Sequence, residues 1–312
     1  MRGLTLLVLV QVVPAEVSIA RDDRIEGAVQ EALERLRLGD LVGGRKVAVK
    51  PNETAIQDGE TTGVTQPDTL RAVLRHLKRL NPRNLVVSGG SGAGETAEVL
   101  EASGMLQVLR EEDVELVDHN RAPFEAVRLD YGDDPEVTGP QREVVVSRSV
   151  LDHEVLVSLA QLKLHRTATV TLTLKNVAMS FPAADHYGHP RADEKHQHAF
   201  FEDMHSFIAA MAKRFPIALG IVAGHPAMIG TGPLGGVPVE TGLVLAGRDA
   251  VAVDATGAHL LGFSAQAVRH IWEAGKLGLG ETDTGQLTYL GLSLDEAVRA
   301  FTGRAYGRAI SF

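Results

Sequence analysis

Leu85-Val86-Val87-Ser88 runs straight into Gly89-Gly90-Ser91-Gly92-Ala93-Gly94-Glu95, and a helical pattern follows. A continuous apolar run, as opposed to an alternating one, marks a strand covered on both faces. The glycines that follow have two readings. They form a tight turn, or they let backbone N–H groups approach an anion next to a helix's positive end. Gly90, Ser91, Gly92 and Gly94 are therefore candidate ligand-binding positions. The loop lacks the full dinucleotide fingerprint and the lysine of a phosphate-binding P-loop.

The same strand-then-helix rhythm extends outward in both directions. Apolar runs at 47–49, 114–117, 144–146, 155–159, 217–222 and 243–246 read as buried strands. Ile25, Val29, Ala32, Leu33 and Leu36 fall on one helical stripe, as do Leu70, Val73, Leu74 and Leu77. Thr65 and Asp68 have capping-box spacing, with Pro67 in the first turn, and Ser293 and Glu296 start the last helix the same way. Gly262 is placed to end the helix that begins near Asp249. This alternation predicts an α/β fold: a doubly wound, mostly parallel sheet with helices on both faces. It spans 1–312 as a single domain, or as two fused lobes meeting in the Asp-, Gly- and Pro-rich stretch 128–142. Ligands of such sheets sit beyond the carboxyl ends of the strands.

Composition narrows the function. With 40 acidic against 31 basic residues the net charge is −9, which disfavours a nucleic-acid partner. There is no cysteine, so disulfides, thiolate zinc sites, a Cys nucleophile and Cys-ligated iron–sulfur clusters are all excluded. A reducing cytoplasmic location fits that usage. Residues 4–13 are apolar behind Arg2, as in a signal peptide. However, Gln11, the β-branched residues and the amphipathic helix beyond favour a first strand. No later stretch approaches the ~20 apolar residues of a membrane span.

Several segments carry polar residues suited to chemistry. Lys50-Pro51-Asn52 leaves a strand, where Lys50 can meet an anion and Asn52 can hold its partner. Lys163 and His165 precede four threonines at 167, 169, 171 and 173 and then Lys175-Asn176. Alternation from Thr169 reads as a strand, and a buried helical turn over 172–179 is the other reading. A lysine inside an apolar segment needs a partner or a lowered pKa. Lys175 is thus a candidate base, Schiff-base amine or anion ligand, against the plainer alternative of a structural salt bridge. Asp254 lies on an apolar helical face and needs a partner, with Lys175 or a histidine as candidates. Gly230-Thr231-Gly232-Pro233 follows another strand, so Gly232 is a further ligand-binding candidate.

Histidines concentrate in one place. Five of the 12 (His186, His189, His196, His198 and His205) lie within 20 residues, where an even spread would put fewer than one. His186, His189, His198 and His205 are candidate ligands for a divalent metal, or acid–base groups. Their spacing matches no closed zinc motif, and a solvated loop is the competing reading.

These segments together resemble one family. Val49-Lys50-Pro51-Asn52, the 90–95 loop, Leu162-Lys163-x-His165, Leu172-x-Leu174-Lys175-Asn176, Gly230-x-Gly232-Pro233 and Asp249-x-Val251-Ala252-Val253-Asp254-Ala255 are similar in order and spacing to the domain of unknown function 362. The resemblance covers about 46–262 and implies an α/β fold. Some relatives carry an added ferredoxin-like iron–sulfur segment, absent here. The family tends to be acidic where Ala223 stands and polar near Ile229, so a metal site there would be altered, with His225 as a substitute. The interval from His165 to Lys175 also resembles the histidine–lysine interval of nickel-pincer lactate racemases, whose lysine holds the cofactor. The other motifs of those enzymes are not visible.

The expectation is an enzyme of isomerase or lyase type acting on a small anionic molecule, because no hydride-cofactor motif, Ser–His–Asp pattern or nucleophile elbow occurs. His165 and Lys175 would do the proton or covalent chemistry. A non-catalytic ligand- or metal-binding accessory protein is the alternative, and a homo-oligomer is compatible with either.

Overall fold

A computed structural model describes residues 14–56, 58–188 and 203–310. One sheet organises the chain in the order β12-β1-β11-β9-β7-β2-β3-β4. Its strands are β1 (Glu16–Arg21), β2 (Lys46–Pro51), β3 (Asn84–Gly89), β4 (Glu115–Asp118), β7 (Val155–His165), β9 (Leu219–Ile229), β11 (Leu243–Gly247) and β12 (Thr288–Gly291). Along this path only β11 runs opposite to the rest. Short strands β8 (Thr169–Val170) and β10 (Val237–Val239) pair antiparallel to β7 and β9. The expected mostly parallel α/β sheet is what the chain forms. The run at 144–146 lies outside it, in β6 (Glu143–Ser147), which pairs with β5 (Phe124–Arg128) in a separate two-stranded sheet. Residues 129–142 connect those two strands.

Helices cover both faces, and alternation along one strand shows how. In β7, Val155, Val157 and Leu159 pack with Val47, Val49, Leu33 and Leu70 on one side. Leu156, Ala160 and Leu162 pack with Phe207, Val251 and Phe301 on the other. The first layer holds α1 (Ile25–Arg35), α2 (Gly39–Val42), α3 (Pro67–Arg79), α4 (Thr96–Ala102) and α5 (Met105–Glu111). The second holds α6 (Leu172–Ala178), α7 (Ala184–Tyr187), α8 (Met204–Arg214), α9 (Ala250–Leu260), α10 (Arg269–Lys276) and α11 (Leu294–Tyr306). Among the described residues no helix is long and apolar enough to cross a membrane.

Local signals fare unevenly. Ser293 and Glu296 form a full capping box on α11, Asp249 caps α9 by accepting the Ala252 N–H, and Gly262 follows α9 with φ +93°. The expected Thr65–Asp68 box is not made. Gln66 is the N-cap of α3, and Thr65 Oγ1 accepts the Asn52 N–H at 2.8 Å. Tying down the loop after β2 takes precedence over the cap. The strand reading of the threonine run holds only for Thr169–Val170, and α6 begins two residues later. The reversal is tight, and Thr169 (φ +66°) and Leu172 (φ +47°) sit in the left-handed region, which is unfavourable for a β-branched or bulky residue. The proposed first strand at 4–13 lies outside the described residues; β1 begins at Glu16.

Candidate functional site

Strand order reverses between β2 and β7: the chain builds outward through β3 and β4, then returns to the other side with β7 and β9. Ligands of doubly wound sheets bind at that switch point, off the carboxyl ends. A small cavity of ≈ 60 Å³ lies there. Its wall is made by Lys50 near the end of β2, by Asn52, Glu53 and Thr54 after it, by Gly90 after β3, and by Thr171, Lys175, Asn176, Met179 and Ser180 from the β8–α6 segment.

Three lysines converge on this region, each in a different electrostatic state. Lys50 is buried, with Nζ 2.7 Å from the Glu53 carboxylate, and it also donates to the Pro51 carbonyl. Glu53, also buried, accepts the Gly90 N–H at 2.9 Å. Lys163 lies behind the wall, donating to Asn52 Oδ1 at 2.6 Å and to the Gly63 carbonyl at 2.5 Å. Burial, with the Lys175 and Lys50 charges adding to it, pushes Lys163 down to about 7. Lys175 differs from both. It is 9% exposed, and among the described residues its ammonium has neither a hydrogen bond nor an ion pair. Desolvation lowers it to about 8. Since Glu53 is taken by Lys50, Lys175 is the uncompensated charge of the cavity wall. One more group there is unsatisfied: the Thr171 hydroxyl, on a residue 2% exposed, has no partner among the described residues.

The amides set the geometry of the wall. Asn176 Oδ1 accepts from Asn52 Nδ2 at 3.1 Å, and Asn176 Nδ2 donates to the Lys50 carbonyl and to Ser158 Oγ, both at 3.1 Å. The β2 exit is thereby clamped to α6. Asp254, expected to pair with Lys175 or a histidine, instead holds the start of α6, and Thr173 and Leu174 are its partners.

The glycine loop is not an open anion cradle. Ser91 N–H donates to Thr96 Oγ1, and Gly92 and Ala93 N–H both donate to the Thr54 carbonyl. With Gly90 on Glu53, the amides from 90 to 93 are all satisfied within the protein. Gly90 is required for packing: a Cβ there would stand 2.0 Å from His119 Nε2. His119 is fully buried, with Nδ1 2.8 Å from Ser88 Oγ and Nε2 2.9 Å from Ser180 Oγ. Sequence reading passed over Glu53, His119 and Ser180, and gave Thr171 only a place in the run of threonines. Glu53 alone carried a legible signal, an acid three residues from Lys50. Gly94 sits at φ +135° and lies outside the cavity wall, as do Ser91 and Gly92. Gly232 packs against the end of β7, where a Cβ would meet the Leu164 carbonyl at 2.0 Å, and is likewise not part of the wall.

The described candidate histidines have different partners. His165 Nδ1 accepts the Thr167 and Ala168 N–H groups, closing the turn into β8. Burial, then the Lys175 and Lys163 charges, lower it to about 2, so it stays neutral and takes up no proton near neutrality. His205 stacks on His270, their Nδ1 atoms 3.1 Å apart. His186 packs edge-on against Phe124 and Tyr187. His189 and His198 lie outside the described residues. Among the described residues, no group of three or more His, Asp or Glu is placed to hold a metal ion. His225, the possible substitute ligand, is bound between Asp68 and Glu240.

The family model for Domain of unknown function (DUF362) matches residues 47–259, from β2 through α9, which takes in every segment around the cavity. This chain belongs to that family. A curated DUF362-type relative is the Thylakoid-associated protein sll1697 of Synechocystis sp., 27% identical over 285 residues, covering 88% of this chain and 82% of the relative. Among solved structures, the lactate racemase apoprotein from Thermoanaerobacterium thermosaccharolyticum is similar, with a TM-score of 0.40 and 17% identity over 69% of this chain. The chain spans about half of that protein's length (51%).

Proposed function

We propose that this DUF362 protein is an enzyme that binds a small anionic molecule against Lys175 and moves a proton there, in chemistry of isomerase or lyase type. One observation carries the reading: a lysine residue only 9% exposed in a cavity wall, whose ammonium has no partner among the described residues. An unpaired buried charge costs several kcal/mol, and sites of function are where such costs are retained. An anion entering the cavity supplies the missing partner. A lysine near pKa 8 is also matched to taking and returning protons close to neutral pH. The Lys50–Glu53 pair and Ser180 line the same wall. Ser180 Oγ donates to the Gly90 carbonyl at 2.8 Å and lies 3.4 Å from Glu53.

Calorimetric titration with small carboxylates and inorganic phosphate tests binding, and exchange of ligand C–H for deuterium in heavy water tests proton transfer. Binding is expected to disappear in Lys175→Met and to persist, weakened, in Lys175→Arg. Binding that is indifferent to Lys175→Met would remove the proposal.

A further inference from the structure

We propose that the ligand is a small 2-oxo acid and that the Lys175 amine condenses with its keto carbon to form a Schiff base. The inference rests on the reading of this cavity as an anion site and adds the substrate's chemical class. A lysine that serves only as a counter-ion works best beside acceptors that keep it charged. The wall is arranged the other way: its one carboxylate, Glu53, is engaged by Lys50 Nζ and the Gly90 N–H, leaving Lys175 unpaired among the described residues. Desolvated lysines next to other cations are the ones that act as amine nucleophiles. The second unsatisfied group, the Thr171 hydroxyl, lies four residues before Lys175 on the same wall and is free to donate to an oxygen at the reacting carbon. Lys50, in the same wall, stays paired with Glu53 and would stand beside the carboxylate as half of an ion pair, not as a free charge.

The step balances without an oxidant. The amine lone pair forms the C–N bond as the carbonyl π pair moves to oxygen. Two protons pass from nitrogen to that oxygen, which leaves as water, and a C=N bond remains. The C=N carbon carries the carboxylate, and in a 2-oxo acid with a further carbon, such as pyruvate, it acidifies the C–H bonds of that carbon, which accords with isomerase or lyase chemistry.

The full chain would be incubated with pyruvate or glyoxylate and sodium cyanoborohydride, then digested and mapped by mass spectrometry. One secondary-amine adduct is expected, on Lys175. It should be absent from Lys175→Arg, which keeps the charge, and form about tenfold more slowly in Thr171→Val. In the wild-type protein, acetate should protect Lys175 from modification, so the test does not depend on any variant folding. Equal labelling of many exposed lysines, or no adduct, overturns the proposal. The two readings then separate by titration. If pyruvate binds wild type and Lys175→Arg without an adduct, only the Schiff base falls. If no anion binds at all, the site falls as well.

Discussion

Asp254, fully buried on α9, accepts the Thr173 Oγ1–H at 2.6 Å and the Thr173 N–H at 2.8 Å, and takes the Leu174 N–H at 2.9 Å. The residue before α6, Thr171, makes no side-chain cap, so a carboxylate from a distant helix satisfies the orphan donors of the first turn. Burial pushes Asp254 up to about 7, with its three donors acting against that rise. Those bonds fix the rotation of α6, which places Lys175 on the cavity and Asn176 on the β2 clamp.

Asp254→Ala therefore leaves two buried N–H groups without acceptors, beside an already strained Leu172. It should cost about 2–4 kcal/mol. Thermal melts read the loss, and trapping of Lys175 by cyanoborohydride should slow in parallel. A Tm equal to wild type would show that α6 is held by other contacts.

Lys175→Met should stabilise the protein while abolishing ligand binding. The folded-state value is about 8 against a usual 10.5. The folded chain thus binds this proton less readily than the unfolded chain, and stability rises with pH across that window. Below about pH 8 the variant should be more stable by about 1–3 kcal/mol. The gap should close between about pH 8 and 10.5. Chemical denaturation at pH 7 and pH 10 measures both ends, and a variant less stable at pH 7 would contradict the claim that Lys175 is unpaired.

The fold was legible because buried strands read as uninterrupted apolar runs, and helices as stripes with caps. Lys50 and Asn52 were legible as polar residues at an apolar strand's end, and Lys175 and Asn176 as polar residues inside an apolar segment, because both settings demand partners. Pairing itself was not legible. Asp254 looked like a counter-ion for Lys175, but backbone N–H groups satisfy a carboxylate equally well, and no sequence spacing distinguishes the two. The glycine loop looked like an anion cradle because glycine allows close approach to anything, and here it approaches His119. Of the histidine cluster, His186 packs against Phe124 and Tyr187 and His205 against His270, because the helix or loop that carries each ring sets its neighbours.

Lys50→Met should destabilise strongly, because it leaves the Glu53 carboxylate buried with only the Gly90 N–H and nearby hydroxyls around it. Breaking one side of a buried pair costs about 3–5 kcal/mol. The double variant Lys50→Met, Glu53→Gln removes the orphaned charge and should recover more than half of the loss. A double variant as unstable as the single one would show that the pair acts through packing instead of charge.

His225 provides a pH test away from the cavity. Its Nε2 lies 2.9 Å from Asp68 Oδ2 on α3, and its Nδ1 lies 2.8 Å from Glu240 Oε1. The Asp68 hydrogen bond first, then that to Glu240, raise the imidazole from 6.5 to about 9, against a desolvation that lowers it. A base whose folded pKa is raised gives stability that is fully present below pH 6.5 and lost as pH climbs through about 9. With Glu240 57% exposed, solvent screening limits the contribution to about 1–2 kcal/mol. Lys163 and Lys175, both lowered, titrate nearby with the opposite sign, so the informative quantity is the difference between wild type and His225→Gln. That difference should favour wild type at pH 6 and vanish by pH 10. A difference constant across the range would mean that His225 is held neutral, and that the contact between α3 and β9 is an uncharged hydrogen bond.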